Sequence, residues 1–260
     1  MEYILVGGIA ALFTAVLTVK KKALTIWGAL EAAALIMGAA ICGKWFGLTF
    51  LLVVYYMIAG IDKLVKPKTE NIVQGMHQKD GPRDHIQVMA NGLPALICIL
   101  IYGITGVRAW LVGYSVALTE AFADSLASDV GVLSRRAPVS ICRFKQVPRG
   151  LSGGVSLWGT GAGLLGTLFC GGLCWMFHRD LAEAAVVVAF GFLGCIIDSI
   201  LGDLVQEKRQ CPKCGKLTEK KIHCEVETSH LSGCPFIDNC GVNLISNFLT
   251  AALAVMFLLW

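Results

Sequence analysis

The stretch LAEAAVVVAFGFLGCIIDSILGDLV, Leu181–Val205, is followed at once by QEKRQCPKC over residues 206–214. A helix needs about 20 apolar residues to cross about 30 Å of hydrocarbon, and this segment supplies them before charge resumes. The same alternation runs through the whole chain. Apolar segments lie at Glu2–Val19, Leu24–Cys42, Trp45–Gly60, Ile86–Thr105, Ala109–Val130, Gly153–Phe177, Leu181–Val205 and Gly241–Trp260, eight in all. An all-α, polytopic membrane protein of about eight transmembrane helices is expected, forming a single integral-membrane domain over residues 1–260. A mean hydropathy of +0.69 with only 15% charged residues excludes an ordinary soluble domain.

If every segment spans, alternate connectors share a side. Those holding Lys20–Lys22, Lys63–Arg83, Arg135–Arg149 and Lys208–Lys221 carry 19 of the 22 basic residues, and the other side has only Lys44, Arg108 and Arg179. The positive-inside rule makes the rich side cytoplasmic, with both termini outside the cytoplasmic membrane. The first segment lacks a basic leader and a small-residue cleavage site and is followed by Lys20–Lys22, so an uncleaved span is expected. The net charge of +4 is no sign of nucleic-acid binding, because basic residues on that face meet lipid headgroups and phosphates.

Polar side chains within the spans cluster at the basic ends. Asp84, Gln87 and Asn91 share one helical face, Glu120, Asp124 and Ser128 repeat every four residues, and Ser125 with Asp129 forms the adjacent stripe. Asp198, Ser199, Asp203 and Gln206 end the seventh span, and Asn239, Asn243, Ser246 and Asn247 open the eighth. Ionisable groups in a bilayer cost several kcal/mol unless paired or hydrated, and therefore mark function. The bland alternative, a wet helix end paired with loop Lys or Arg, stands beside this for Asp84 and Asp203.

The connector between spans five and six brings the complementary charge. It holds Arg135, Arg136, Arg143, Lys145 and Arg149 and runs into Ser152-Gly153-Gly154. A Ser-Gly-Gly turn at a helix N-terminus presents backbone N–H groups to an anion; a plain loop with a glycine-serine cap is the alternative. Acids able to hold Mg²⁺ opposite a basic phosphate cradle fit a nucleotide or diphosphate site. GAGLLG at Gly161–Gly166 matches a dinucleotide fingerprint only literally, since no strand precedes it; Gly159 and Gly163 suit close helix packing.

Eleven cysteines do not imply disulfides, because six of them fall on the reducing side. CPKCG at Cys211–Gly215 has the form of a zinc knuckle in a Cys-rich loop, 206–240, between the last two helices. His223 and Cys224 are its expected partners, with His230, Cys234 and Cys240 as further candidates and unligated thiols as the alternative.

These stretches resemble a family of bacterial, archaeal and plastid integral-membrane proteins, long called a domain of unknown function, that includes plant phytyl-phosphate kinase and animal transmembrane protein 19. The likeness rests on RDHIQVMANG at Arg83–Gly92, ADSLASDVGVLS at Ala123–Ser134, VPRGLSGGVS at Val147–Ser156, DSILG at Asp198–Gly202 and IDNCGVN at Ile237–Asn243. Two departures stand out: Asp129 replaces a usual Glu, and Cys240 replaces a usual Asp, which removes a carboxylate and offers the loop another thiolate. A looser similarity extends to dolichol kinases and phosphatidate cytidylyltransferases. The resemblance implies an enzyme that phosphorylates an isoprenoid-lipid monophosphate, such as phytyl or prenyl phosphate, to the diphosphate, with CTP as donor. On that reading Asp124, Asp129 and Asp198 hold Mg²⁺; Lys145, Arg149 and Ser152-Gly153-Gly154, with Ser128, hold nucleotide phosphates; Arg83, Asn91 and Asn243 orient the acceptor. Cytidylyl transfer, or a transporter or scramblase, would use similar residues, and a partner-docking Cys-rich loop is a non-enzymatic alternative.

Overall fold

The computed structural model describes residues 1–73, 76 and 81–260, with the backbone alone at 66, 70 and 71; Lys79 and the Lys66 side chain, counted among the basic connectors, lie outside this set. Among the described residues the order is α1 (Glu2–Lys20), α2 (Ile26–Val73), α3 (His85–Thr105), α4 (Arg108–Val132), β1 (Val139–Ser140), β2 (Gly154–Val155), α5 (Leu157–His178) and α6 (Leu181–Leu204). Then come β3 (Lys208–Gln210), β4 (Leu217–Thr218), β5 (Ile222–His223), β6 (Val226–Glu227), β7 (Ser229–Ser232) and α7 (Asn239–Leu259). The chain is a helical integral membrane protein. α1, α2, α3, α5, α6 and α7 are long and apolar enough to cross a bilayer.

The second and third apolar segments are joined differently from the expectation of two separate helices. They form one element, α2, broken at Lys44, whose backbone (φ 52°, ψ −141°) is not helical. There the chain turns back on itself: a Cβ on Gly47 would lie 2.7 Å from the carbonyl oxygen of Ala39, two positions about 12 Å apart in a straight helix. The second limb, from residue 45, also continues past Gly60 as helix, through Asp62 and Pro67, to Val73.

Helix α4 is the axis of the bundle, packed against α2, α3, α5, α6 and α7. Its residues from Leu111 to Ala123 are buried on every side, which explains why the segment shows no single apolar stripe. Small residues allow its neighbours close: a Cβ on Gly159 of α5 would sit 2.6 Å from the carbonyl of Ala127. Gly159 and Gly163 therefore serve helix packing, as their spacing predicts.

Helix ends follow local chemistry. Asp84 caps α3 in a reciprocal capping box with Gln87, and Gly106 ends it in the left-handed conformation. Asp180 accepts the N–H groups of Ala182 and Glu183 to start α6, and Asp238 accepts that of Gly241 to start α7. At the end away from the basic connectors, Arg108 and His178 both bond Glu183, the latter at 2.9 Å. The His178 ring also lies 4.1 Å from that of Phe46, just after the α2 break. Lys44, Arg108 and Arg179 thus gather at one end of the bundle and the basic connectors at the other.

Candidate active site and metal loop

Asp124, Ser128 and Asp129 project from the last turns of α4, where it leaves the buried axis. They line a cleft of about 410 Å³ together with Asp198 of α6, Arg149 and the Ser152-Gly153-Gly154 turn. Residues that are far apart in sequence therefore meet, as expected, at the basic end of the bundle. Behind them lies a buried polar layer. Ser246 Oγ sits between two carboxylates, 2.8 Å from Glu120 Oε1 and 2.9 Å from Asp198 Oδ2, and Asn247 Nδ2 donates to Glu120 Oε2 at 2.7 Å. Glu120, Ser246 and Asn247 were visible as polar face residues; their role in anchoring Asp198 is clear only once α4, α6 and α7 are packed.

The phosphate-cradle turn is built otherwise than a helix N-terminus. α5 starts at Leu157 with Ser156 as its cap, accepting from Gly159 N at 3.1 Å. The Ser152-Gly153-Gly154 segment precedes it; Gly154 opens strand β2 and pairs with Ser140 of β1, and the Gly153 carbonyl accepts from Ile141 N at 3.1 Å. Ser152 Oγ donates to Glu219 Oε1 at 2.6 Å. Gly153 has φ +80° and presses on α6, where a Cβ would lie 2.4 Å from the backbone of Asp203. Only glycine fits both that conformation and that approach. The turn still faces the cleft, held there by strand pairing rather than by a helix dipole.

Asp84 serves as the α3 cap, and Asp203 pairs with a connector lysine, as the bland alternative has it, but in a buried rather than a wet setting. Lys208 Nζ donates to Asp203 Oδ1 at 3.1 Å and to its carbonyl at 2.9 Å, while Cys142 N donates to Oδ2 at 3.1 Å and Ser140 Oγ to the same oxygen. This carboxylate clamps the α4–α5 connector to α6.

Four candidate residues lie away from the cleft lining. Lys145 is exposed, at a tight turn where Phe144 has φ 55° and Ser140 N bonds the Lys145 carbonyl. Arg83 and Asn91 line a second, smaller cavity of about 160 Å³. Asn243 Nδ2 donates to Asn91 Oδ1 at 3.2 Å, so α7 reaches that cavity's rim. Arg83 Nη2 donates to Asp62 Oδ2 at 2.9 Å, and Asp62 in turn lies beside Asp129. Asp62 thus joins the two cavities. Sequence reasoning missed it because the apolar segment ends at Gly60, leaving Asp62 to look like connector. Two carboxylates side by side repel unless a proton or cation lies between them, and the hard oxygens of Asp124, Asp129 and Asp198 suit Mg²⁺.

In the α6–α7 loop, ligand atoms of Cys211, Cys214, His223 and Cys224 all lie within 4.8 Å of one another. Cys224 Sγ is 3.2 Å and Cys214 Sγ 3.6 Å from His223 Nδ1. The knuckle is closed by Gly215 N on the Cys211 carbonyl at 2.8 Å. Cys224 and Glu225, both at positive φ, form the two-residue turn between β5 and β6. Such a turn favours Asn-Gly, so the strain at Cys224 accompanies the presentation of its thiol. Three thiols and an imidazole make up a donor set that fits zinc. His230, beside Glu207 at 3.5 Å, and Cys234 and Cys240 lie outside the four-residue group. The loop touches the cleft through Glu219, whose N–H also bonds the Met76 carbonyl at 2.8 Å.

Comparison with known proteins agrees with this architecture. The chain is 34% identical over 122 residues to an uncharacterized membrane protein of Methanocaldococcus jannaschii, covering 46% of this chain and 50% of that one. It is 28% identical over 184 residues to the chloroplastic protein VTE6 of Arabidopsis thaliana, covering 68% and 55%. It is 29% identical over 233 residues to the Arabidopsis protein PGR, covering 78% of each. The chain spans about half the length of the first two relatives. No solved structure matches it. The profile of the integral membrane protein family DUF92 matches residues 9–251, and the chain belongs to that family.

Proposed function

We propose that this protein is a magnesium-dependent phosphotransferase that converts an isoprenoid-lipid monophosphate, such as phytyl or prenyl phosphate, to the diphosphate with CTP as donor. The observation that carries this reading is the convergence of Asp124, Asp129, Asp198, Arg149 and the Ser152-Gly153-Gly154 turn on one cleft. The resemblance to a family containing phytyl-phosphate kinase, and the similarity to VTE6, support the choice of reaction.

The acceptor is a phosphate monoester already anionic near neutral pH, so no general base is needed to create the nucleophile. An acceptor oxygen bonds the γ-phosphorus of CTP, the β–γ bond breaks and CDP leaves; no proton changes hands. The obstacle is repulsion between anions, which is electrostatic work. Arg149 and the backbone of the Gly-Gly turn face the donor phosphates, with Ser128 beside them. Arg83, Asn91 and Asn243 hold the acceptor phosphate on the far side of the Asp62–Asp129 pair. Lys145, exposed beside the cleft, draws anions toward it rather than ligating them. Magnesium held by Asp124, Asp129 and Asp198 supplies charge neutralisation at the nucleotide. Zinc on Cys211, Cys214, His223 and Cys224 would close the loop as a structural site.

The basic connectors face the cytoplasm on this reading, with both termini outside, so the cleft opens where CTP is found. Isotopic label distinguishes the chemistry. Transfer of γ-phosphate label from CTP into lipid is the expected result; α-phosphate label would mean cytidylyl transfer. Lipid or ion flux through proteoliposomes without nucleotide would favour a transporter.

A further inference from the structure

The second cavity has a division of character that the first lacks. Its apolar wall comes from Leu35, Leu51, Val54, Ile58 and Leu118, and its polar end from Asp62, Arg83, Gln87 and Asn91. From Asp62 to Leu51 the second limb of α2 rises about 16 Å, at 1.5 Å per residue, so the apolar part reaches about half the hydrocarbon thickness. The polar end is not closed off from the chemistry. Asp62 lies beside Asp129, which lines the acid cleft. Arg83 gives one nitrogen to Asp62 and is still 45% exposed; a guanidinium has further N–H donors for an anion.

We infer that this cavity is the acceptor subsite, taking the head-proximal part of a single-chain prenyl phosphate, with the phosphate at Arg83 and the chain along α2. The inference rests on the kinase reading for its reaction, but the pocket is defined by its own walls. The volume of about 160 Å³ is close to that of a cavity of about 150 Å³ that accommodates one benzene molecule. It therefore encloses roughly one five-carbon unit, and the rest of a long chain leaves between helices into lipid. A diacylglycerol phosphate, which branches into two chains close to its phosphate, does not fit. Selection acts on the number of chains at the head and not on total chain length.

The test uses the full-length protein and farnesyl phosphate carrying a diazirine on its first isoprene unit, irradiated without nucleotide and mapped by mass spectrometry. Labelled peptides are expected from residues 51–62 and 83–92. Ile58→Trp, which fills the cavity, should reduce labelling and raise KM for farnesyl phosphate about tenfold, the scale of an overpacking cost, while KM for CTP stays unchanged. Ile58→Ala should retain labelling, and phosphatidate should not compete. Labelling confined to α5 and α6, or equal competition by phosphatidate, overturns the subsite. If label maps to the cavity but no diphosphate forms, the subsite stands and the kinase reading falls. If diphosphate forms with label elsewhere, the kinase reading stands and the subsite falls. Should Ile58→Trp fail to fold, the wild-type map decides.

Discussion

Asp124 and Asp203 both lie near the basic ends of their helices, and their surroundings give them opposite work. Asp203 is saturated by Lys208, Ser140 and the Cys142 amide, whereas Asp124 faces the cleft. Asp124→Asn should lower turnover at least about 100-fold, the scale for losing one preorganised electrostatic group, with unchanged thermal unfolding in detergent. Lys208→Met instead strands a buried carboxylate and should cost about 3 kcal/mol of stability, read by the same unfolding measurement. Glu219 carries a pH dependence. Burial, then the nearby Asp238 charge, pushes its carboxyl up to about 7 from an ordinary 4.5. The native state therefore binds the proton more tightly than the unfolded one. Stability from this group is full below about pH 4.5 and is lost as pH rises through about 7. Glu219→Gln should flatten that part of the stability–pH curve; an unchanged slope would remove the assignment.

Among the elements, the α2 break and the Cys-rich loop make separate demands. Lys44 holds a backbone conformation suited to glycine, and Lys44→Gly should keep the fold and raise stability by about 1 kcal/mol. A loss of stability there would mean that the two limbs do not fold back at this point. Among the described residues the loop forms a small three-stranded sheet and a hairpin, and on the proposed zinc reading its order depends on the four-ligand group. Cys211→Ser with Cys214→Ser should abolish bound zinc by metal analysis and open residues 208–232 to protease. Turnover should fall with it, because the loop holds Ser152 through Glu219.

For the molecule as a whole, much of the architecture was legible because a bilayer punishes charge so heavily that it sorts lysine and arginine into connectors. Seven of the eight apolar segments could be bounded closely, and the convergence of Asp124, Asp129 and Asp198 followed from their shared end. What escaped had local causes. Ser152-Gly153-Gly154 looks like a helix start, but Ser156 makes the cap and Gly154 is used in strand pairing with Ser140. Asp62 sat beyond an apolar run that charge seemed to end, yet helix propagation to Val73 carried it to Asp129. Lys145 is grouped with Arg149 by proximity in sequence, yet it sits exposed at the end of the Ser140–Lys145 turn while Arg149 lines the cleft.

The most direct measurement is conversion of a panel of isoprenyl monophosphates by the purified protein with CTP and magnesium, followed by mass spectrometry. The account predicts prenyl diphosphate and CDP in equal amounts, removed by chelation and by Asp124→Asn. Absence of any diphosphate across the panel, or undiminished product from Asp124→Asn, would contradict it.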